Sequence, residues 1–180
     1  MAVLITPQGI LSYPALFTPK AFGDEPPRFS ATIVFSLAEQ KTEAFKALKA
    51  AAKLAIINKF GEAKAANKAF VAGLRDPFRD GEEKYTEGDV YLNLASKTRV
   101  GVVDANVQPI IDPSLVWAGQ LARASVSCFA YDRLGNKGVS FGLEGIQIIK
   151  ADMPRLDGRV PAEKAFSPIV GDDDDTANLV

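Results

Sequence analysis

Histidine is absent from all 180 residues, and the chain has one cysteine, Cys128, and one tryptophan. Without imidazole there is no Ser-His-Asp or Cys-His nucleophile system, no histidine metal ligand and no imidazole base. A single thiol forbids an intramolecular disulfide and suits a reducing compartment. A zinc site would have to be assembled almost entirely from carboxylates, which is rare. Neither a Walker-type phosphate loop nor a GxGxxG fingerprint is present. No apolar run approaches the roughly 20 residues that cross a bilayer. Residues 1–9 are apolar but lack a basic stretch and meet Pro7 at once, so a signal peptide is not expected. These absences point away from an enzyme, from a bound cofactor or metal and from a membrane, and toward a cytoplasmic protein. Carboxylate-only chemistry, such as a magnesium-dependent nuclease, has one place to sit: Asp76, Asp80, Glu82, Glu83 and Asp89. They stand among Pro77, Gly81 and Gly88, the composition of a solvated loop.

What is present begins with a charge split. The chain has 21 Lys+Arg against 22 Asp+Glu, and four of those acids are consecutive, Asp172 to Asp175. Apart from them the chain carries +3, so a mildly cationic body bears an anionic tail. Such a block has no apolar period and stays solvated. It is either a solubility tail or an electrostatic stand-in for a polyanion that occupies a cationic surface until nucleic acid displaces it.

The body reads mainly as strands. In Arg28–Phe35, Phe29, Ala31, Ile33 and Phe35 point one way and Arg28, Ser30 and Thr32 the other, a core face and a wet face. Residues 10–17 form its partner across the loop 19–27. The period then becomes helical. Ser36 and Glu39 make a capping box, Phe45, Leu48, Ala52, Ile56 and Phe60 follow as an apolar stripe, and Gly61 ends it. Lys46, Lys49 and Lys53 fall on another side, where a solvated face is the default and a phosphate track the alternative. A second helical stretch covers residues 62–71.

Strands return at 90–95 and 99–103, and at 119–131, where Ala122, Ala124, Val126, Cys128 and Ala130 oppose Arg123, Ser125, Ser127, Phe129 and Tyr131. Residues 132–138 read as a Gly-rich hairpin loop. The return strand changes its apolar parity near Gly145, the mark of a β-bulge in a strongly bent strand. The expected fold class is mainly β with a helical insertion over 37–73: an OB-fold-like small β-barrel over 1–150, an extended arm over 151–170 and a disordered acidic tail over 171–180. A β-sandwich satisfies the same periodicity.

Sequence-tolerant single-strand binders need cations along the backbone and aromatic faces for bases. The wet faces supply both. Arg28 lies on one strand, Tyr91 with Lys97 and Arg99 on and beyond another, and Arg123, Phe129 and Tyr131 on the long strand. Loops add Lys20 and Phe22 on one side, Arg133 and Lys137 on the other.

The stretches Tyr13–Pro19, Phe29–Ile33, Trp117–Tyr131 and Gly135–Leu143, with Gln147, resemble the phage-encoded single-stranded DNA-binding proteins once catalogued as a domain of unknown function. The resemblance spans most of residues 10–150. It implies an OB fold that coats single strands in phage replication or recombination without catalysis, inside the bacterial host. It also implies an acidic tail, here Asp172, Asp173, Asp174 and Asp175, that regulates binding or recruits replication proteins. Arg123, Phe129 and Tyr131 sit in the matching motif and take a DNA-facing role from it. For Lys20, Arg28, Tyr91 and Lys97 that role rests on alternation and charge. The chain departs from the pattern at its end, Asn178-Leu179-Val180, where an aromatic residue often stands. A homodimer stays open, as does a phage assembly protein that uses the barrel as an interaction module.

Overall fold

The alternating and helical periods of the sequence become the elements of a computed structural model that describes residues 3–81, 84–160 and 162–169. Among the described residues eight strands are formed: β1 (Leu4–Ile5), β2 (Gly9–Lys20), β3 (Arg28–Phe35), β4 (Arg79–Asp80), β5 (Val90–Ser96), β6 (Gly101–Val103), β7 (Leu121–Arg133) and β8 (Asn136–Lys150). Helices α1 (Glu43–Phe60), α2 (Glu62–Ala66) and α3 (Lys68–Ala72) lie between β3 and β4, and a short α4 (Ala162–Ala165) lies in the C-terminal arm. Among the described residues no helix is long and apolar enough to cross a membrane. The acid block Asp172–Asp175 lies outside the described residues, as do Glu82 and Glu83.

Strand pairing decides between barrel and sandwich. β2 pairs with β3, β3 with β5, β5 with β8, β8 with β7, and β7 returns to β2. All of these are antiparallel except β5–β8, which is parallel. Five strands thus form a ring, the OB-like barrel expected, while β1, β4 and β6 extend it at β7, β5 and β8. The bulge in the last strand is present. Ser125 pairs with Gly145 and Val126 with Leu143, which leaves Glu144 as the extra residue. The hairpin turn is tighter than the loop 132–138 expected. Arg133 pairs with Asn136, and Leu134 and Gly135, at φ 52° and 80°, make the two-residue turn. Positive φ at both positions is the type I′ geometry that matches strand twist.

Inside the ring sit Leu11, Ile33, Phe35, Leu92, Leu94, Val126 and Phe141, each 2% exposed or less. Each such side chain contributes about 1.5–3 kcal/mol by leaving water. Helix α1 adds Phe45 and Leu48 to the same core, with the Phe45 ring edge-on to Phe35 at 5.6 Å. Farther along α1, Ala52 and Ile56 pack on Val139 in a second cluster that Cys128 and Ala130 border. The helix therefore covers the small-residue face of β7 and leaves the face carrying Phe129 open.

Three local expectations are corrected. Ser36 Oγ does accept from the Glu39 N–H at 3.4 Å, but Glu39 takes a hydrogen bond from Gln8 Nε2 instead of closing the box. That turn ends as a 3₁₀ segment, and α1 begins at Glu43, capped by Thr42 Oγ1 accepting from Phe45 N at 3.3 Å. Thr42 stands next to the apolar stripe and so competes better as a cap. The helical stretch 62–71 is broken at Asn67, whose Oδ1 caps α3 by accepting from Ala69 N and Phe70 N. Thr32, expected on the wet face, is buried, and its hydroxyl donates to Asn93 Oδ1 at 2.8 Å.

The arm packs on its own barrel. Trp117 Nε1 donates to the Met153 carbonyl at 3.1 Å, and Leu156 N donates to the Ala118 carbonyl at 3.0 Å. Gly119 makes this approach possible: at φ 113° a Cβ there would lie 2.2 Å from the Pro154 oxygen. Buried Gln120 joins the parts, accepting from Trp117 N and donating to the Leu115 and Ala151 carbonyls.

Candidate nucleic-acid interface

In an OB-type barrel, oligonucleotides use the face of the second and third strands with the flanking first and last hairpin loops. Counted around this ring those strands are β3 and β5, and a groove of about 680 Å³ lies over them. Its floor is made of short side chains, Ser30, Thr32, Ala95 and Ser140, with Asn93 tied to Thr32. Small residues keep the floor low enough for a planar ring to lie between larger walls.

Aromatic rings form those walls. Between the pairs Ser12–Thr32 and Ala15–Ser30, β2 has one residue more than β3, and this bulge turns Tyr13 outward. Tyr13 has φ 43° and is 69% exposed. Phe22, 58% exposed in the β2–β3 loop, lines the same groove with the Lys20 ammonium 5.8 Å from its ring centroid. On the far side Ser140 lines the groove, and its cross-strand partner Phe129, 41% exposed, lies on the same sheet face one strand beyond. The ring lies over Gly142, where a Cβ would be in ordinary contact with Phe129 Cε1 at 3.8 Å.

Cations surround the rings. Lys20 and Arg28 are direct cross-strand partners at the end of β2 and β3. Like charges placed so oppose folding, and among the described residues neither has an ion pair. The neighbouring pair Phe29–Ser96 puts exposed Lys97 at the same end. Lys84 reaches the groove from the opposite wall, its ammonium 5.7 Å from the Tyr91 centroid. Arg75 enters through the segment after α3, which is fastened to the hairpin by Arg75 N donating to Lys137 O and Val139 N to Arg75 O. Gly138 is required at that crossing, because a Cβ would meet Arg75 Cβ at 2.6 Å.

The structure thus gathers Lys20, Phe22, Arg28, Lys97 and Phe129 at or beside one groove. Tyr91 is half-buried beneath it. Its ring meets Tyr85 edge-on at 5.6 Å, and Tyr85 Oη donates to Ser12 Oγ at 2.9 Å, so Tyr91 holds up the wall that carries Lys84. Tyr131 is half-buried, with its hydroxyl 2.7 Å from where a Gly138 Cβ would be. Lys137 is engaged by Asp132 at 3.8 Å and by the Phe70 ring at 6.0 Å. Arg133 is exposed at the hairpin tip and Arg99 is exposed between β5 and β6. Arg123 shares the outward face of β7 but stands six residues from Phe129, about 20 Å along a strand. There its Nε donates to Gln147 Oε1 at 2.7 Å beside a separate cavity of about 250 Å³.

Tyr13, Arg75 and Lys84 escaped the sequence reading as groove residues. For Tyr13 a signal existed. Leu11 and Leu16, both buried, have opposite parity, which places a bulge between them. Arg75 and Lys84 arrive through long-range packing and have no local signature. In the acidic loop, Asp76 accepts from Phe78 N and Asp89 from Thr86 N, the role of turn caps. Among the described residues no three His, Cys, Asp or Glu side chains come together as a metal site.

Comparison with known proteins adds a relationship to this geometry. The family model described as Enterobacter phage Enc34, ssDNA-binding protein matches residues 2–178. Putative protein p50 of Acyrthosiphon pisum secondary endosymbiont phage 1 is 28% identical over 167 residues, covering 88% of this chain and 89% of that protein. The single-stranded DNA-binding protein from bacteriophage Enc34, solved in complex with ssDNA, superposes with a TM-score of 0.70 at 17% identity, over 84% of this chain and 88% of that one. The single-stranded DNA-binding protein gp2.5 encoded by bacteriophage T7 superposes with a TM-score of 0.61 at 14% identity, over 89% and 98%. At such identities the structural likeness speaks for the fold.

Proposed function

Since the chain belongs to the family of the Enterobacter phage Enc34 single-stranded DNA-binding protein, we propose that it coats single-stranded DNA without reading sequence during phage DNA replication and recombination. The observation that carries this reading is the groove over β3 and β5, with its low floor, its exposed rings and cations that make no ion pair among the described residues. Bases stack on Tyr13, Phe22 and Phe129, each such contact worth about 1–3 kcal/mol whatever the base. Lys20, Arg28, Lys84, Lys97 and Arg75 follow the phosphates. Arg123, Arg99 and Arg133 add charge at a distance. The protein acts by occupancy, without a chemical step, in the cytoplasm of the bacterial host.

The acid block Asp172–Asp175 competes with DNA for the same cations, or offers itself to replication proteins when DNA holds the groove. Four consecutive carboxylates make charge the drive of this exchange. An electrophoretic titration of oligothymidylate at two salt concentrations tests the reading, using the full chain and a chain ending at Val170. Binding that weakens steeply with salt, and tightens on truncation, is expected. No binding by either chain at low salt would overturn it and leave the assembly-module alternative.

A further inference from the structure

The helical insertion is the most cationic part of the chain. Residues 37–73 hold seven lysines against Glu39, Glu43 and Glu62, a net charge of +4 on a protein whose total is −1. A merely solvated helix face is ordinarily laced with both signs. Among the described residues only Lys46 of these seven has an ion pair, with Glu43. Lys49 and Lys53 are exposed, one turn apart on α1. They line a cleft of about 210 Å³ between α1 and the segment that follows α3. Lys49 is held in place, its ammonium 5.7 Å from the Phe45 centroid and 5.3 Å from that of Phe78. Asp76 also lines the cleft, its Oδ1 accepting from the Phe78 N–H, so three cations, Lys49, Lys53 and Arg75, face one carboxylate there.

Arg75 is the connection, because it lines both this cleft and the DNA groove. We infer that Lys49 and Lys53 form a second phosphate-binding stretch, and that a single strand leaving the groove past Arg75 continues over α1. The inference rests on the single-strand-binding reading and lengthens its site. Charge complementarity and continuity through Arg75 choose the occupant. Lysines on a helix face bind backbone without reading bases, as a coating protein requires.

The test uses the full chain carrying Lys49→Gln and Lys53→Gln together, titrated with oligothymidylates of about 4 and about 16 nucleotides, the range of OB-fold site sizes. The short strand fills the groove alone and should bind as tightly as to the unsubstituted protein. The long strand should bind several-fold more weakly, with a salt slope shallower by about 0.7 for each lost phosphate contact. Restoring charge with Lys49→Arg and Lys53→Arg should recover the slope, and an unchanged Tm excludes misfolding. Unchanged binding of the long strand, or equal weakening of both strands, would overturn the inference. So would a rise in affinity for both, which would assign these lysines to the acid block. If the unsubstituted protein binds neither strand, it is the underlying reading that fails.

Discussion

Tyr13 keeps a left-handed backbone, φ 43°, that costs an L-residue about 1–2 kcal/mol. Its ring is mostly in water, so packing of that ring does not offset the cost; the β2 bulge between Ser12 and Ala15 imposes the conformation. Tyr13→Ala should therefore leave Tm nearly unchanged and weaken oligothymidylate binding about 5- to 150-fold, the equivalent of about 1–3 kcal/mol. Fluorescence anisotropy beside a thermal melt separates the two effects. Phe129→Ala should behave alike, whereas Arg123→Gln, far along β7 and held by Gln147, should cost much less affinity. Gly119→Ala is the reverse case. It should destabilise by about 1–3 kcal/mol through its backbone conformation, and Trp117 fluorescence should report the release of the arm from Met153. Partial burial pushes the Cys128 thiol up to about 11. The folded state thus holds this proton more firmly than the unfolded chain. The associated stability is intact below the ordinary thiol pKa and is lost as pH rises through about 11. At pH 8 the native thiol should alkylate slowly, and unfolding should speed it.

At the level of elements, period and parity were legible because one face of each strand is buried. Phe35, Leu92 and Val126 could be placed inside from alternation, and the parity change near Gly145 pointed to the bulge that the pairing places at Glu144. Helix boundaries were less legible, because Ser36 and Thr42 both offer caps and only packing of Phe45 selects the second. The β7–β8 turn supplies a test. Leu134 occupies a positive-φ position, 99% exposed, where asparagine is favoured in a type I′ turn. Leu134→Asn should raise stability by up to about 1 kcal/mol without altering DNA affinity, as a chemical denaturation series would register through an increased midpoint and an unchanged slope.

Across the whole molecule, what the sequence could not display is closure. Alternation suits barrel and sandwich alike, and only the β2–β7 and β5–β8 seams turn five strands into a ring. The same limit hid half of the groove. Arg75 and Lys84 come from segments without period and reach it through the hairpin and through Tyr91 and Tyr85. Charge was legible as a total but not as a surface, and no period in the sequence shows that Arg75 lines both the groove and the cleft of Lys49 and Lys53. With several phosphates neutralised on one face, log affinity for single strands should fall by about 0.7 per log salt for each. Truncation at Val170 should raise affinity most at low salt, because screening weakens the acid block's own hold on the body.

The proposed path of single-stranded DNA runs between Tyr13, Phe22 and Phe129. Photocrosslinking of an oligonucleotide containing 5-bromouracil to the full chain, mapped by mass spectrometry, reads that path directly. Crosslinks at those three rings are the expected result. Crosslinks confined to the Arg123–Gln147 end of β7, with none in the groove, would contradict it.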